Sequence, residues 1–212
     1  MFFLFALTPS LNVGIAGAHG GLGRELVRQS MDRGWTPTAL VRRDDPITEP
    51  IRVGYLSPDA THPVAMPVRR VVCPETCPES LDAIVFALSG RPFVLDTSSD
   101  VVRAMCASLP ERCRKVCLVS AHGVGADEPA NVGIRVMRDW YLRSTYEAKA
   151  EQESIVQHHL PDGVDRLILR PRVLSYSPIP LYGVATPRRC LASDILDWLA
   201  RDGARQSRGG LL

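Results

Sequence analysis

The sequence lacks an excess of charge of either sign. Its 25 basic and 23 acidic residues leave a formal net charge of +2, and neither sign forms a block or a tail. Proteins that hold nucleic acid or an anionic membrane by charge usually carry a basic patch or arm. The composition therefore argues against nucleic acid and membrane surfaces as partners.

Long hydrophobic runs are also missing. The opening MFFLFALTP is apolar over only about seven residues, whereas a membrane-spanning helix needs about 20. No basic residues flank this run as they would in a secretory signal. We interpret residues 1–11 as an apolar leader of a soluble protein that continues into the first strand, with a membrane-touching or targeting role as the alternative.

Cysteine motifs are absent as well. The six cysteines form no CxxC pair, and no histidine stands at zinc-finger spacing, so we predict no metal site. A chain of this length does not need disulfides to fold, which favours reduced thiols and the cytoplasm or another reducing intracellular compartment. Cys106, Cys113 and Cys117 lie in or next to apolar segments, where a free cysteine usually packs as a small hydrophobe.

Lysine is nearly absent, because 23 of the 25 basic residues are arginine and only Lys115 and Lys149 are lysine. An arginine in this chain is therefore weak evidence of a function. A lysine is more informative, although Lys115 has no obvious role.

Apolar runs of strand length alternate with segments of helical spacing along most of the chain. The first pair is LNVGIAGA and GGLGRELVRQSMDRG, in which Leu22, Leu26, Val27 and Met31 share a helix face and Gly34 ends the helix. Further strands are predicted in TPTALVRR, VRRVVC, LDAIVFAL, KVCLVSAHG and VDRLILRPRVL. Further helices are predicted in DVVRAMCASLP, from about Ile134 to His159, and in RCLASDILDWLARDG. Trp140 and Tyr141, within the long helix, are expected to pack or to line a pocket wall.

This alternation predicts an α/β fold, a Rossmann-type doubly wound parallel sheet with helices on both faces and a small C-terminal region on the substrate side. A chain of 212 residues that is 45% hydrophobic can bury one substantial core. We therefore expect a single domain over residues 1–212, with a disordered tail at 205–212. Residues 44–80 contain seven prolines, and VRRVVC is the one strand predicted there.

The stretch GIAGAHGGLG places Gly17, Gly20 and Gly23 between the first strand and the first helix. Glycine permits a tight turn and a close approach of the backbone to a pyrophosphate, and the N–H groups of the first helical turn face that anion. This context favours a dinucleotide site over a glycine-rich turn that binds nothing. No GK[ST] ending follows, which argues against a P-loop nucleotide triphosphatase. The turn residues predicted to bind the cofactor are Gly17, His19, Gly20, Gly21, Leu22 and Gly23.

The end of the second strand distinguishes between cofactors. An acidic residue there would bind the ribose hydroxyls of NAD, whereas arginine can bind the 2′-phosphate of NADP. Arg42 and Arg43 come first, ahead of Asp44 and Asp45. We therefore predict NADP, with NAD as the alternative for the cofactor and a solvated turn as the alternative for the two arginines.

Taken together, the chain resembles the atypical short-chain dehydrogenase/reductases, the NmrA-like and flavin-reductase-like NAD(P)-binding families. The matching segments, spread over residues 12–200, are GIAGAHGGLG, TALVRR, LDAIVFALSG, KVCLVSAHGVG, YEAKAEQESIV, LILRPRVL and ASDILDWLA. The resemblance implies that Ser120 lies near the nicotinamide and that His19 stands where the family often has Ser or Thr. It also implies a helix with Lys149 and Glu153, and further cofactor contacts at Ala87, Leu88, Ser89 and Pro171, which follows Arg170.

Active members of these families commonly use Tyr-x-x-x-Lys, in which tyrosine donates a proton and lysine anchors the nicotinamide ribose. Here Tyr146 and Lys149 are one residue closer, but positions i+3 and i+4 of a helix both lie near residue i. A compact ammonium suits ribose hydroxyls better than guanidinium does, which favours Lys149 as a cofactor ligand over a surface lysine. His122 is a further candidate proton donor, or a loop histidine without a catalytic role. The catalytic candidates are thus Tyr146, Lys149, Ser120 and His122.

Three functions follow from these features. The first is an NADPH-dependent reductase of a small carbonyl or aromatic acceptor. The second is a non-catalytic NAD(P)-binding redox sensor or assembly subunit with a protein partner, favoured by the Tyr–Lys spacing and by the short chain after residue 171. The third is a fold that serves only as an interaction module.

Overall fold

The structure is a computed structural model that describes residues 10–42, 52–53, 64–65, 69–73, 77–88, 98–124, 135–136, 139–140, 142–175 and 185–201. Within these ranges the strands are β1 (Asn12–Ala16), β2 (Thr36–Arg42), β3 (Arg52–Val53), β4 (Val64–Ala65), β5 (Arg69–Cys73), β6 (Ala83–Phe86), β7 (Lys115–Val119), β8 (Asp165–Leu169), β9 (Val173–Ser175) and β10 (Ala185–Pro187). The helices are α1 (Gly21–Asp32), α2 (Ser98–Ala107), α3 (Arg143–His158) and α4 (Arg188–Ala200).

Six of the strands form one parallel sheet in the order β5-β2-β1-β6-β7-β8. This is the strand order of a Rossmann-type fold and confirms the predicted fold class. The order reverses between β1 and β6, so a crevice forms where these two strands end. Ala16 pairs with Leu40 on one side and Phe86 on the other, which places the glycine turn at this crevice.

The central strands β1, β6 and β7 are buried almost throughout, as their apolar runs predict. Alternate residues of β6 face opposite sides: Ala83 and Val85 pack with α1 and α4, whereas Ile84 and Phe86 pack with α2 and α3. The helices supply matching residues, such as Leu26 and Ile195 on the first side.

No described helix has the length and apolar composition of a membrane span. The described side chains also form no cluster of three or more possible metal ligands.

Within the helix predicted from about Ile134, residues 135–136 are α-helical and residues 139–140 are π-helical, and α3 itself begins at Arg143. The exposed fraction of Val136 is 57% and that of Trp140 is 78%, so the prediction that Trp140 packs against the protein is wrong. At 100° per residue, a continuous helix would place Val136 and Trp140 about 160° and 120° around the axis from the buried Gln152. Tyr141 and the predicted tail at 205–212 lie outside the described residues.

Lys115 has a structural role that its sequence context does not reveal. Its ammonium donates to the carbonyl oxygens of Trp198 and Leu199, both at 3.1 Å, and to that of Arg201. It also lies 5.4 Å from the centre of the Trp198 ring. The residue therefore joins the first position of β7 to the end of α4, where the helix dipole favours a cation.

Cys106, Cys113 and Cys117 are buried free thiols, as the apolar segments predict. Burial raises the pKa of Cys106 from 9.0 to about 12, with a smaller contribution from Cys113. Burial likewise raises the pKa of Cys113 to about 11, and it raises the pKa of Cys117. These thiols therefore stay protonated and poorly nucleophilic at neutral pH.

We expect these thiols to make the protein less stable as the pH rises above 9. Thiols of the unfolded chain ionise near 9.0, whereas Cys106 and Cys113 hold their protons to about 12 and 11. Above about pH 9 the unfolded state therefore binds fewer protons than the folded state does. The free energy of unfolding then falls by about 1.4 kcal/mol per pH unit for each thiol, and the stability present below pH 9 is lost. Thermal denaturation between pH 7 and 10.5 measures the slope. Cys106→Ala should reduce it, and Cys190→Ser, at an exposed position, should leave it unchanged; equal slopes in all three proteins would contradict the assignment.

Candidate functional site

The glycine turn requires glycine at its first position for two reasons. Gly17 has φ of +86°, and a Cβ built on it would lie 2.4 Å from the carbonyl oxygen of Ala87. The turn is therefore pressed against the chain that continues from β6. The backbone N–H of Ala87 donates to Ala16 at 2.9 Å and fixes this contact.

The start of α1 meets the requirements of an anion site. Gly20 is its N-cap and provides no side-chain cap, and the first turn contains no acidic residue. Because the first helical hydrogen bond runs from the N–H of Arg24 to Gly20, the N–H groups of residues 21–23 have no partner within the helix. A Cβ at Gly23 would lie 2.1 Å from the Gly17 carbonyl oxygen, whereas one at Gly20 would meet that oxygen at 3.2 Å and no other atom of the described residues within 4 Å. Glycine at position 23 thus permits close packing, and glycine at position 20 leaves the cradle open.

Ser120 follows β7 directly and carries a polar atom without a partner. The residue is only 5% exposed, and among the described residues its Oγ makes no hydrogen bond. Its backbone N–H donates to Leu169 at 2.7 Å, which fixes its position. A buried hydroxyl without a partner costs free energy, so its place at the carboxyl edge of the sheet suits a ligand that supplies the missing hydrogen bond.

The side chain of Tyr146 contacts the backbone of His122, which lies in the segment that follows β7. The Tyr146 hydroxyl donates to the His122 carbonyl oxygen at 3.1 Å, and the His122 N–H donates to the carbonyl oxygen of Pro171 at 3.0 Å. The structure thus brings Tyr146, His122 and Pro171 together at the ends of β7 and β8. These contacts of His122 are made by its backbone.

Lys149 is 3% exposed and its ammonium binds protein oxygens. It donates to the carbonyl oxygens of Leu88 at 2.6 Å and Val119 at 2.7 Å, and to Gln152 Oε1 at 3.2 Å. Gln152 in turn donates from Nε2 to Ser98 Oγ at 2.6 Å. A buried polar network therefore connects the ends of β6 and β7 with α3 and the start of α2.

Glu153 and Arg170 form a bidentate ion pair. Arg170 donates from Nε to Oε1 at 2.9 Å and from a terminal nitrogen to Oε2 at 2.7 Å. The side chain of Glu153 is 6% exposed and that of Arg170 is 28% exposed. The pair fastens α3, which carries Tyr146 and Lys149, to the chain just after β8.

A cavity of about 440 Å³ lies beside Tyr146 at the carboxyl end of β7. Ligands of open α/β sheets bind at this edge. The described residues that line it are Gly123, Val124, Asp139, Arg143, Tyr146, Glu147 and Ala150.

The remaining predicted site residues fall into two groups. His19 and Leu22 belong to the glycine turn and the first turn of α1, and Ala87 and Leu88 lie opposite Gly17. The side chain of Arg42, and the whole of Arg43 and Ser89, lie outside the described residues. The choice between NADP and NAD that depends on the two arginines therefore stays a prediction.

Two residues of the buried network were not predicted from the sequence. Gln152 binds the Lys149 ammonium, and Ser98 accepts from Gln152. A signal did exist for Gln152, because it stands three residues after Lys149 and so shares its helix face. Ser98 is distant in sequence and gave no comparable signal.

A family profile described as NAD(P)H-binding matches residues 17–190. The chain belongs to this family. The match confirms the resemblance at the level of an NAD(P)H-binding domain and supports a nicotinamide dinucleotide as the cofactor. The NmrA-like subfamily remains a prediction.

Several solved structures of other proteins share the fold of this chain. The anaerobillin reductase ChuY from Escherichia coli O157:H7 is 17% identical, and the match covers 89% of this chain and 90% of that one with a TM-score of 0.60. A Lactobacillus casei protein is also 17% identical, with 92% and 95% coverage and a TM-score of 0.63. Vestitone reductase from alfalfa is 11% identical, with 92% and 74% coverage and a TM-score of 0.59. Among curated protein sequences none matches the chain significantly, and likenesses at these identities establish the fold alone.

Proposed function

We propose that the protein is an NADPH-dependent reductase of a small carbonyl or aromatic acceptor. The observation that carries this proposal is Ser120 Oγ, a buried hydroxyl without a hydrogen-bond partner among the described residues, at the carboxyl end of β7. Two of the structural neighbours are named as reductases, which agrees with the proposal. A cavity beside Tyr146 lies at the segment that follows β7, although Ser120 is not among the described residues that line it.

The chain's own groups divide the work of binding and proton supply. The open cradle at Gly20 and the N–H groups of residues 21–23 would hold the pyrophosphate, and Arg42 and Arg43 the 2′-phosphate. When bound, reduced nicotinamide supplies the hydride. Ser120 would donate a hydrogen bond to the acceptor oxygen, and Tyr146 or His122 would provide the proton that this oxygen takes up.

Calorimetry with NADPH and NADH is the first test, followed by NADPH oxidation in the presence of aldehydes, quinones and flavins. We expect tighter binding of NADPH than of NADH, and turnover with at least one acceptor class. Dissociation constants above roughly 1 mM for both cofactors would overturn the proposal. They correspond to a binding free energy weaker than about 4 kcal/mol. Binding without turnover on any acceptor would leave only the non-catalytic function.

Ser120→Ala is expected to reduce turnover by about 100- to 1,000-fold, because it removes a donor to the reacting oxygen. It should not destabilise the protein, since the hydroxyl that is lost makes no hydrogen bond with the described residues. Steady-state kinetics, NADPH affinity and the melting temperature together test this. A lower melting temperature with unchanged turnover would show that the hydroxyl serves the fold and not the reaction.

A non-catalytic NAD(P)-binding sensor or assembly subunit is the second candidate. It is favoured by the hydrogen bond from the Tyr146 hydroxyl to the His122 carbonyl oxygen, which the hydroxyl must leave in order to donate to a substrate. In that case Tyr146→Phe changes no activity, cofactor binding persists, and a protein partner co-purifies with the chain.

A further inference from the structure

The ammonium of Lys149 is already surrounded by protein oxygens. An ammonium group has three hydrogens to donate, and Leu88, Val119 and Gln152 accept from this one at 2.6, 2.7 and 3.2 Å. The side chain is also almost completely buried. A ribose hydroxyl would have to displace one of these oxygens to bind Lys149 directly.

Two of these acceptors are main-chain carbonyls at the ends of neighbouring strands. Val119 is the last residue of β7, and Leu88 stands two residues beyond β6. β6 and β7 are paired and parallel, so their carboxyl ends meet at the edge where the sheet binds ligands. The ammonium therefore joins the segment that lies opposite Gly17 to the segment that ends in Ser120.

We propose that Lys149 is a positioning residue that holds the ends of β6 and β7 together and does not itself bind the cofactor ribose. The proposal rests on the function proposed above insofar as these strand ends line the cofactor. It explains a lysine in a chain with 23 arginines, because one compact ammonium can meet three oxygens from different directions, whereas the donors of guanidinium are fixed in a plane. Gln152, which also donates to Ser98, supplies the third oxygen from α3 itself.

Lys115 offers a matched control within the same strand. It lies at the first residue of β7 and its ammonium binds main-chain carbonyls of the residues at the end of α4. It therefore has similar hydrogen-bond chemistry at the opposite end of β7, away from the proposed cofactor site. Since the chain has only these two lysines, every lysine signal belongs to one of them.

The deciding measurement is nuclear magnetic resonance of the protein labelled with ¹⁵N-lysine, with and without NADP⁺. The signal lost in Lys115→Arg identifies Lys115. We expect the Lys149 ammonium to give a slowly exchanging signal in the cofactor-free protein and to keep its position when NADP⁺ is added. A Lys149 signal that is absent through fast exchange before NADP⁺ is added, or that moves strongly on binding, would show a direct ligand and overturn the proposal.

Variants provide a second measurement. Lys149→Met should lower the melting temperature of the cofactor-free protein and weaken NADPH binding at least tenfold, and Lys149→Arg should not restore either. Lys115→Met should lower the melting temperature and leave the NADPH affinity unchanged. A Lys149→Met protein with the wild-type melting temperature would overturn the positioning role. If no cofactor binds even to the wild type, the proposed function fails, while the cofactor-free spectrum and melting temperatures still test this inference.

Discussion

Gly17→Ala is expected to produce a protein that melts far below the wild type and no longer binds NADPH. The new Cβ would lie 2.4 Å from the Ala87 oxygen and 2.8 Å from its carbonyl carbon. Neither atom belongs to a flexible side chain, and Ala87 is tied to Ala16 by a hydrogen bond of 2.9 Å. The φ of +86° adds about 1–2 kcal/mol for a residue with a Cβ. The turn must therefore open, and β1 and β6 must separate at the crevice.

Two other glycines separate the contributions to this effect. Gly34 also has a positive φ, +73°, but a Cβ added there would meet no atom of the described part of the chain within 4 Å, so Gly34→Ala should cost only the conformational strain of about 1–2 kcal/mol. Gly20 has φ of −70°, so Gly20→Ala has no positive-φ cost; its Cβ would meet the Gly17 carbonyl oxygen at 3.2 Å, so the variant should fold with a smaller loss of stability than Gly17→Ala and a loss of cofactor affinity. Melting temperatures and calorimetry with NADPH compare the three. A Gly17→Ala protein as stable as Gly34→Ala would show that the contact with Ala87 is not obligatory.

The sequence predicted the sheet and the glycine turn well because both have local signals. A parallel strand buried on both faces reads as a short apolar run, which identified β1, β6 and β7. Gly17 and Gly23 are also set by local geometry, since each lies where a Cβ would strike the backbone. The strand order then follows from the usual topology of such alternating chains.

The partners of the charged side chains were harder to predict. Lys149 binds two main-chain carbonyls, and every residue type has a carbonyl, so no pattern of letters marks the acceptors. The prediction that Trp140 packs against the protein failed for a different reason. Val136 and Trp140 are apolar, but they are highly exposed, and apolar character alone does not show which residues reach the core.

Arg170→Met is expected to destabilise the protein by about 3 kcal/mol, the second large effect, at the lower end of the cost of breaking a buried pair because Arg170 is 28% exposed. It leaves the Glu153 carboxylate, whose side chain is 6% exposed, without the cation that binds both of its oxygens. Removing one member of a buried pair is costly because the other charge stays buried. The loss should also reduce cofactor binding, since α3 carries Lys149 and is fastened to β8 by this pair. Chemical denaturation and calorimetry with NADPH measure the two effects.

The double variant Glu153→Met/Arg170→Met determines whether the buried charge is the cause. Two apolar side chains can replace a buried ion pair at little cost, so the double variant should be more stable than Arg170→Met alone. The surface pair of Arg143 and Glu147, with side chains 74% and 63% exposed, is the control, and Glu147→Ala should leave the denaturation midpoint almost unchanged. A double variant that is less stable than Arg170→Met would mean that Glu153 stabilises α3 through contacts other than the ion pair. The attachment of α3 to the end of β8 would then depend on packing, and Arg170 would contribute through its aliphatic stem.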